Sequence, residues 1–275
     1  METRLRDKVV VVTGASGGIG TAIARQFAAE GAKLILHCHN NPVAARRLQR
    51  TLGDGESLVV SADLTREAAV KKLFVQARAR FGRVDTLVAN AGCWETRAVP
   101  LHEMSLTQWR RTQDGVLTSV FLCVREFFRL VAAQKAGNVV LMGSTAAVFG
   151  EAGHADYAAA KAALAYGFTR TLKNEIARLA PPTPDYCGGR LNCVCPGWTV
   201  VPRNAAKLQQ ASFVRHVTAT LALPKMARPE DIASAVVFLS ADHLAGHLTG
   251  QTLVIAGGME GRTLWSASEI DPALA

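Results

Sequence analysis

The sequence has few aromatic residues, little charge and no apolar run long enough to cross a bilayer. Aromatic side chains make up 6% of the 275 residues and charged side chains 19%, whereas 49% of the residues are hydrophobic. A membrane-spanning helix needs about 20 consecutive apolar residues, and the apolar runs here are shorter or interrupted. The first residues are charged and show no signal-peptide pattern. We therefore expect a soluble, cytoplasmic protein with a large buried core and no membrane partner.

The chain also lacks the clustered basic residues of a nucleic-acid-binding protein. Its 31 Lys and Arg against 22 Asp and Glu give a net charge of +9, which alone would suit a polyanionic partner. The basic residues, however, occur as scattered pairs without interleaved aromatics, such as Arg46-Arg47, Lys71-Lys72 and Arg110-Arg111. This distribution favours no nucleic-acid partner. It indicates a solvated basic surface that suits a phosphorylated cofactor or an acidic substrate carrier.

Cysteine occurs six times but never in the Cys-x-x-Cys spacing of many metal and redox sites. Cys193-x-Cys195 together with His37 and His39 could be imagined as metal ligands. Alternate positions of one strand, both facing the core, explain this cysteine spacing better, because free cysteine behaves as a small hydrophobic residue. The cysteine pattern therefore predicts no metal site.

Apolar runs alternate with helical periodicity along the chain, which is typical of repeated strand–helix units. The predicted strands are residues 9–12, 34–36, 58–60, 87–88, 139–142 and 253–255. The predicted helices are residues 19–30, 42–52, 66–81, 105–135, 155–180 and 229–240. This order favours an α/β fold with a single doubly wound parallel sheet (Rossmann fold) and helices on both faces. We predict one domain over residues 1–275, with a core at residues 7–258.

Three segments fall outside this alternation. Residues 181–189 are rich in Pro and Gly and predict a loop between a helix and a strand. Residues 198–225 follow a Pro-Gly turn with weak periodicity and are interpreted as a mobile lid. Residues 259–275 form a tail, of which residues 262–275 are expected to be disordered or docked on a neighbouring subunit.

Tyr157-Ala-Ala-Ala-Lys161, with Ser144 upstream, is the most informative feature of the chain. A tyrosine and a lysine four residues apart lie on the same helix face, one turn apart. The ammonium, aided by the positive ring of a cofactor, is expected to lower the pKa of the Tyr157 phenol from its ordinary value of about 10. Such a phenol can exchange a proton with an alcohol or ketone oxygen, and Ser144 would hydrogen-bond the same oxygen. We therefore predict Ser144, Tyr157 and Lys161 as catalytic residues.

A glycine-rich turn, Thr13-Gly14-x-x-x-Gly18-x-Gly20, directly follows the first predicted strand and opens a helix. Glycine allows the sharp turn and lets a pyrophosphate approach the free N–H groups at the helix start. The spacing differs from the common G-x-G-x-x-G fingerprint. Its position between strand and helix nevertheless predicts a dinucleotide site.

Together these segments resemble the short-chain dehydrogenase/reductase (SDR) family over residues 7–258. Further matching segments are Ala62-Asp63-Leu64-Thr65, Asn90-Ala91-Gly92, Pro196-Gly197 and Gly257-Gly258. The resemblance implies that Tyr157 is the acid/base, that Lys161 lowers its pKa and binds the nicotinamide ribose, and that Ser144 positions the substrate oxygen. The predicted cofactor-binding residues are Gly14, Ser16, Gly18, Ile19, Gly20, His37, His39, Asn40, Asp63, Leu64, Asn90, Ala91, Gly92, Tyr157, Lys161, Pro196, Gly197 and Thr199.

Two of these residues have simpler explanations. Asp63 could simply cap the helix that begins near Thr65, without binding a cofactor. Asn90 could simply be a turn residue. Ser144 is distinguished by its place at a predicted strand end, 13 residues before the tyrosine.

The chain departs from the family in the long helix after the fourth strand. SDRs usually carry an asparagine there that completes a proton relay through water to the lysine, and this chain has Val116. Valine cannot hydrogen-bond a water. Gln113, Asp114 or Thr118 could carry the relay instead, or turnover is slowed.

Two further departures follow. Val201 stands where family members often have a threonine that bonds the nicotinamide amide, and Thr199 could substitute for it. Residues 165–167 make the segment after Lys161 one residue longer than the commonest pattern.

Cofactor choice depends on the end of the second strand, where NAD-preferring relatives place an acid for the ribose 2′-hydroxyl. Here the stretch reads Leu36-His37-Cys38-His39-Asn40-Asn41, with no acid to repel a 2′-phosphate. His39, Asn40, Asn41 and Arg46 could donate hydrogen bonds to that phosphate. Gly17, however, stands where NADP-preferring members often have Arg or Lys. The pattern favours NADP(H), with NAD(H) possible.

The resemblance implies an NAD(P)(H)-dependent oxidoreductase that interconverts a secondary alcohol and a ketone, with a 3-oxoacyl thioester reductase as the leading hypothesis. It also implies a homotetramer, paired partly through residues 105–135 and 155–180. The predicted pocket wall comprises Cys93, Trp94, Phe149, His154 and Trp198, which suits an apolar or cyclic part of a small-molecule substrate. The alternative is a binding or regulatory protein that kept the fold and cofactor but lost efficient catalysis.

Overall fold

A seven-stranded parallel sheet forms the centre of the protein in the computed structural model, which describes residues 2–53, 56–261, 265–271 and 273. The spatial order of the strands is β3-β2-β1-β4-β5-β6-β7, and every neighbouring pair is parallel. Short runs rich in β-branched residues form these strands because both faces of the sheet are covered. The strands are β1 Val9–Val12, β2 Lys33–Cys38, β3 Ser57–Ser61, β4 Thr86–Ala89, β5 Asn138–Met142, β6 Arg190–Pro196 and β7 Thr252–Ile255.

Twelve α-helices lie within the described residues, and they connect the strands. They are α1 Gly18–Ala29, α2 Pro42–Leu52, α3 Glu67–Phe81, α4 Leu106–Gln113, α5 Ser119–Gln134, α6 Thr145–Phe149, α7 Ala155–Ala162, α8 Thr169–Leu179, α9 Ala205–Leu208, α10 Ala211–Thr218, α11 Pro229–Ser240 and α12 Asp242–Ala245. A π-helical turn at Asp114–Thr118 joins α4 to α5, and another at Ala163–Phe168 joins α7 to α8. None of these helices is both long and apolar enough to cross a membrane.

The core lies in two layers, one on each face of the sheet. Val9 and Val11 of β1 face the layer that contains α3 and α5. Val10 and Val12 face the opposite layer, which contains α1 and α11. The alternation follows from the two-residue period of a strand. The predicted doubly wound parallel sheet is therefore confirmed.

The predicted elements match closely, but α6 and α12 have no predicted counterpart, and three further differences follow. The sequence implies β6 only as the strand after the 181–189 loop, without bounds. In the structure, β6 is Arg190–Pro196. Each predicted long helix, 105–135 and 155–180, contains a π-helical turn. The 198–225 segment, interpreted as a lid, contains a 3-10 turn at Pro202–Asn204 and the short helices α9 and α10.

The sheet order reverses between β1 and β4, because β1 continues to β2 on one side while β4 continues to β5 on the other. In open α/β sheets, ligands bind outside the carboxyl ends of the strands at such a switch point. The glycine-rich turn after β1 and Asn90 after β4 both lie at this edge.

The described part of the tail packs back on the lid. The Trp265 indole Nε1 donates a hydrogen bond of 2.6 Å to the Leu221 carbonyl, and Ile270 is 5% exposed. The expectation of a disordered or subunit-docked tail also covers residues 262–264, 272, 274 and 275, which lie outside the described residues.

Candidate active site

A cavity of about 1000 Å³ opens at the carboxyl ends of β1, β4, β5 and β6. It is lined by the glycine-rich turn, the ends of these strands, α7 and the start of the lid. The predicted catalytic and cofactor-binding residues all line this one cavity. The fold therefore brings together segments that lie up to 185 positions apart, from Gly14 to Thr199.

The glycine-rich turn is closely packed and leaves backbone donors at the start of α1. Gly14 has φ +66, in the left-handed region that favours glycine. A Cβ on Gly20 would lie 2.2 Å from the Gly14 carbonyl oxygen, so no larger residue fits there. No side chain caps α1, and its first N–H groups remain available to an anion. This turn fits a pyrophosphate.

Asn90 and Thr13 hold the turn against the end of β4. The Asn90 Nδ2 donates to the Thr13 carbonyl at 2.9 Å and to the Gly14 carbonyl at 3.3 Å. The Ala91 N–H donates to the Thr13 hydroxyl at 2.9 Å. Asn90 thus has a structural task beyond that of a local turn, since it fixes one wall of the cavity.

Both ring nitrogens of His37 are hydrogen-bonded to backbone groups. Its Nδ1 accepts from the Gly14 N–H at 3.1 Å, and its Nε2 lies 2.9 Å from the Ala62 carbonyl, which requires the tautomer with hydrogen on Nε2. Burial lowers the pKa of His37 and keeps the ring neutral. His37 lines the cavity, but its ring nitrogens hold the glycine-rich turn and leave no donor for a 2′-phosphate.

The donors after β2 are fewer than the sequence suggested. His39, Asn40 and Asn41 line the cavity and are exposed, whereas Arg46 is not among the lining residues. The Asn41 Oδ1 accepts from the Ala44 N–H at 3.1 Å and caps α2. His39 and Asn40 are therefore the side chains left free to meet a group at this end of the cavity.

Asp63 lines the cavity but does not cap the following helix. Its Oδ1 accepts from the Thr65 N–H at 3.0 Å and from the Thr65 hydroxyl at 2.7 Å, and these bonds lower the pKa of its carboxyl. α3 begins later, at Glu67, with Arg66 as its capping residue. Asp63 therefore shapes a turn rather than capping the helix, and with Leu64 it also lines the cavity.

Ser144 is fixed at the end of β5 by the start of α6. Its Oγ accepts from the Ala146 N–H at 3.2 Å, which makes Ser144 the capping residue of α6. Tyr157 and Lys161 project from α7, and the Lys161 Nζ lies 5.7 Å from the Tyr157 ring centre. Lys161 is 4% exposed, and its Nζ donates to the Met142 carbonyl at 2.6 Å.

Burial determines the protonation of this pair. It lowers the pKa of Lys161 to about 8 and raises the pKa of Tyr157 to about 12, although a hydrogen bond with Ser144 acts to lower the latter. The raised pKa of Tyr157 is opposite to the direction expected from Lys161. The reason is that desolvation, together with the nearby Glu151 carboxylate, disfavours the phenolate more strongly than the Ser144 hydrogen bond and the Arg203 charge favour it. Tyr157 is therefore a protonated phenol at neutral pH.

A buried carboxylate aligns the helix that carries both residues. Asp156 is 1% exposed, and its Oδ2 accepts from the Thr112 hydroxyl at 2.7 Å. Its Oδ1 accepts from the Tyr157 N–H at 2.9 Å, and Gln113 Nε2 donates to its carbonyl at 2.9 Å. Sequence reasoning missed Asp156, because its partners Thr112 and Gln113 are distant in the chain and only the fold brings them to it.

The lid begins against the glycine-rich turn. A Cβ on Gly18 would lie 2.6 Å from a Val201 methyl, so this glycine allows the lid to approach. Thr199 is buried, and its hydroxyl donates to the Gly197 carbonyl at 3.0 Å. Thr199 and Val201 both line the cavity with Pro196 and Gly197.

One end of the cavity lies beside Trp94 and Trp198 and is called the substrate end below. It has aromatic walls and charged side chains. Cys93, Trp94 and Trp198 line it, as predicted. His154 lies behind Trp94, with ring centres 5.0 Å apart, and neither His154 nor Phe149 lines the cavity. Sequence reasoning missed the following lining residues, which no spacing pattern connects to the catalytic residues: Arg111, Glu151, Arg203 and Met259.

Comparison with known proteins identifies the family. A family model described as Enoyl-(Acyl carrier protein) reductase matches residues 14–260. The chain is 34% identical to a 3-oxoacyl-[acyl-carrier-protein] reductase of Synechocystis sp., over 94% of this chain and 98% of that protein. It is 36% identical to a cis-4-hydroxycyclohexanecarboxylate dehydrogenase of Sinomonas cyclohexanicum, over 92% and 96%. The solved structure of a short-chain dehydrogenase/reductase from Brucella melitensis matches with a TM-score of 0.83 and 30% identity, over 94% of this chain and 99% of that one.

The chain belongs to the SDR family. It is an NAD(P)(H)-dependent oxidoreductase that interconverts an alcohol and a carbonyl group of a small molecule. The resemblance found in the sequence is thereby confirmed.

The position of the usual SDR relay asparagine is apolar in this chain. Val116 is fully buried in the first π-helical turn, and a Cβ on Gly92 would lie 3.7 Å from the Lys161 Nζ and 4.0 Å from a Val116 methyl. The substitutes considered from sequence bond elsewhere. Gln113 donates to the Asp156 carbonyl, and the Thr118 hydroxyl donates to Asp114 at the surface.

Residues 165–167, where the sequence suggested one residue more than the commonest SDR pattern, lie in the second π-helical turn, Ala163–Phe168. Such a turn closes hydrogen bonds over five residues rather than four, so it accommodates one more residue within a continuous helix. α8 can therefore keep its packing against the sheet.

Proposed function

We propose that this SDR reduces a ketone to a secondary alcohol with Tyr157 as the general acid. The carrying observation is that Ser144, Tyr157 and Lys161 line one cavity with the glycine-rich turn. Burial raises the pKa of Tyr157 to about 12, and a protonated phenol can donate the proton that reduction of a ketone requires. The alternative, a cofactor-binding protein with weak catalysis, is motivated by Val116 and Val201.

In this mechanism Tyr157 Oη donates its proton to the substrate oxygen, and Ser144 Oγ holds that oxygen by a hydrogen bond. Lys161 holds positive charge beside the phenol and favours the phenolate left after the transfer. The nicotinamide, when bound, supplies the hydride. Asp156 keeps Tyr157 in position through its bonds to α4.

We propose NADP(H) as the preferred cofactor. No acid follows β2, and the exposed His39 and Asn40 line the cavity there. A nucleotide would extend along the start of α1, past Asp63 and Leu64, towards Lys161. The expected ratio of kcat/KM for NADPH over NADH is above one.

A 3-oxoacyl thioester is the leading substrate class, because the Synechocystis relative is named for such a reaction and the net charge of +9 suits an acidic carrier. A cyclic oxo acid is the second candidate. The Trp94 and Trp198 walls suit a ring, and the Sinomonas relative is named for a hydroxycyclohexanecarboxylate.

We further propose that the protein is a single domain, a homotetramer and cytoplasmic. The single seven-stranded sheet supports one domain. Phe121 on α5 is 42% exposed, which supports pairing through the long helices.

The test is oxidation of NADPH and NADH with 3-oxoacyl thioesters and cyclic ketones, measured for wild type, Tyr157→Phe and Tyr166→Phe. Loss of a general acid lowers kcat/KM by about 10²–10⁴-fold, so Tyr157→Phe is expected to show this loss. Tyr166→Phe also removes one phenol hydroxyl nearby on the chain and is expected to retain activity.

Equal activity of the Tyr157→Phe and Tyr166→Phe variants would reject Tyr157 as the acid. Tight cofactor binding by wild type with no turnover of any substrate would favour the binding-protein alternative.

A further inference from the structure

We propose that Arg203 on the lid binds an anionic group of the substrate, either a carboxylate of the substrate itself or a phosphate of its thioester carrier. The inference rests on the proposed function, because it concerns the same cavity. Arg203 lies in the 3-10 turn Pro202–Asn204 and lines the cavity with Ser144 and Tyr157.

Arg203 is the unpaired cation of the substrate end. Three lysine or arginine side chains line the cavity within the described residues: Lys161, Arg111 and Arg203. Lys161 donates to the Met142 carbonyl, and Arg111 is ion-paired with Glu95. Arg203 has no hydrogen-bonded or ion-paired acceptor among the residues that the structure describes. Its guanidinium lies against Trp94, with its central carbon 6.0 Å from the ring centre.

The acid in this part of the cavity already has partners. Burial raises the pKa of the Glu151 carboxyl, whereas a hydrogen bond from the Trp94 side chain and the Lys207 ammonium favour its charged form. The His154 Nε2 lies 3.8 Å from a Glu151 carboxylate oxygen. Glu151 is therefore compensated without Arg203, and the charge left for a ligand at this end is positive.

The neighbourhood of Arg203 restricts the ligand further. Trp94 packs edge-on against Trp198, with ring centres 6.0 Å apart, so apolar walls stand beside the guanidinium. A planar guanidinium binds carboxylate and phosphate oxygens through two parallel hydrogen bonds. The arrangement fits a substrate with an apolar part against the tryptophans and an anionic end towards the lid.

The cofactor pyrophosphate is a competing source of the anion. The donors that suit it lie at the start of α1, which no side chain caps. Arg203 instead rests on Trp94, a residue of the loop after β4. This contact assigns Arg203 to the substrate end.

The test measures equilibrium binding, so it does not depend on turnover. Isothermal titration calorimetry of the NADP⁺-saturated protein would use cyclohexanecarboxylate as the carboxylate probe and butyryl-CoA as the phosphate probe. The proteins are wild type, Arg203→Gln and Arg111→Gln. The last removes the same charge from the same cavity, but from an arginine that already has a partner.

Loss of a hydrogen bond to a charged group corresponds to a rise in Kd of about 10- to 100-fold. We expect this rise for one probe with Arg203→Gln, and a change within about twofold for Arg111→Gln because that charge is already compensated. The probe that is weakened identifies the anion as carboxylate or phosphate. Arg203→Lys is expected to recover part of the loss, since it restores the charge without the planar fork.

Three outcomes would overturn the proposal: neither probe binds wild type, neither is weakened by Arg203→Gln, or both arginine variants are weakened equally. A weakening of NADPH binding by Arg203→Gln, with the probes unchanged, would assign Arg203 to the cofactor and also overturn it. Failure of the proposed function would look different, because the probes would bind while no ketone is reduced.

Discussion

Lys161 combines a functional position with an unfavourable environment. It is 4% exposed, and burial lowers its pKa to about 8. Compared with an ordinary lysine, such a pKa corresponds to a cost of roughly 3 kcal/mol for holding the charge in the folded protein at neutral pH. The ammonium is retained at this cost beside Tyr157.

Replacing this residue is therefore expected to stabilise the protein while it removes activity. Lys161→Met should raise the free energy of unfolding at neutral pH by about 1–3 kcal/mol. Because the folded pKa lies below the unfolded one, the unfolded state binds more protons between about pH 8 and 10. Wild type should gain stability over that window, and the difference between the proteins should shrink. Urea denaturation at several pH values measures the free energy of unfolding of both proteins. A difference between them that stays constant with pH would contradict a lowered pKa of Lys161 as its cause.

The buried Val116 is the second residue whose replacement has a predictable effect. An asparagine there would add a polar side chain beside Lys161, in a position that is fully buried. Val116→Asn is expected to raise kcat at least about twofold if a missing relay limits turnover, and to lower stability by about 1–3 kcal/mol. Steady-state kinetics and urea denaturation measure both effects.

Val120→Asn is the matched control for this variant, because Val120 is 3% exposed and lies one helical turn further along the chain. It should lose similar stability without any gain in kcat. An equal change in kcat for both variants, or a lower kcat for Val116→Asn alone, would show that position 116 does not limit proton transfer.

Among the elements, the lid is held by one ammonium among three aromatic rings. The Lys207 Nζ lies 4.9 Å from the Trp94 ring centre, 5.5 Å from that of Trp198 and 5.7 Å from that of Phe213. Trp94 belongs to the loop after β4, whereas the other two rings belong to the lid. Cation–π contacts of this kind contribute about 0.5–2 kcal/mol each, so Lys207 links the lid to the body of the protein.

Lys207→Met should therefore loosen the lid without unfolding the sheet. We expect amide hydrogen exchange to accelerate in residues 198–218 and to remain unchanged in β1, β4 and β5. Lys225→Met provides the comparison, because Lys225 is exposed and no aromatic ring lies against its ammonium in the described structure. Equal exchange in the two variants would mean that the rings pack as well without the charge.

The elements also show how far sequence reasoning reaches. Every strand except β6, and the helices α2, α3 and α11, could be predicted because each has a buried apolar pattern of clear period or marked ends, such as Pro42 and Pro229 at helix starts. The π-helical turns could not, since one extra residue in a helix hardly changes that pattern. The lid helices are four and eight residues long, too short for a periodic signal.

The same limit applies to the site. Ser144, Tyr157 and Lys161 could be proposed from the sequence because their spacing is itself the signal, and the fold places all three in one cavity. Asp156 and Arg203 could not, because their roles arise only when α4 meets α7 and when the lid meets the loop after β4. The burial that raises the pKa of Tyr157 could not be judged from helical spacing.

At the scale of the whole molecule, the proposed tetramer is testable through its helices. Phe121 on α5 is 42% exposed, and a large apolar side chain in that position suits a subunit interface. Phe121→Glu is expected to dissociate the assembly, since it would bury a charge. Light scattering should give four times the 29.3 kDa chain mass for wild type and a smaller particle for the variant.

Val43→Glu is the control, because Val43 is 69% exposed on α2, outside the long helices. It should leave the particle mass unchanged. A wild-type monomer would exclude the tetramer, and an unchanged mass for Phe121→Glu would move the interface away from this part of α5.

The tail contributes to the cavity without carrying any of the proposed catalytic residues. Met259 lines the cavity, and Trp265 bonds the Leu221 carbonyl at the end of the lid. Exchange of residues 259–271 with those of another SDR would therefore reshape the substrate end while Ser144, Tyr157 and Lys161 stay untouched. In an evolving gene or an engineered library, substrate selectivity would then change through this one short segment.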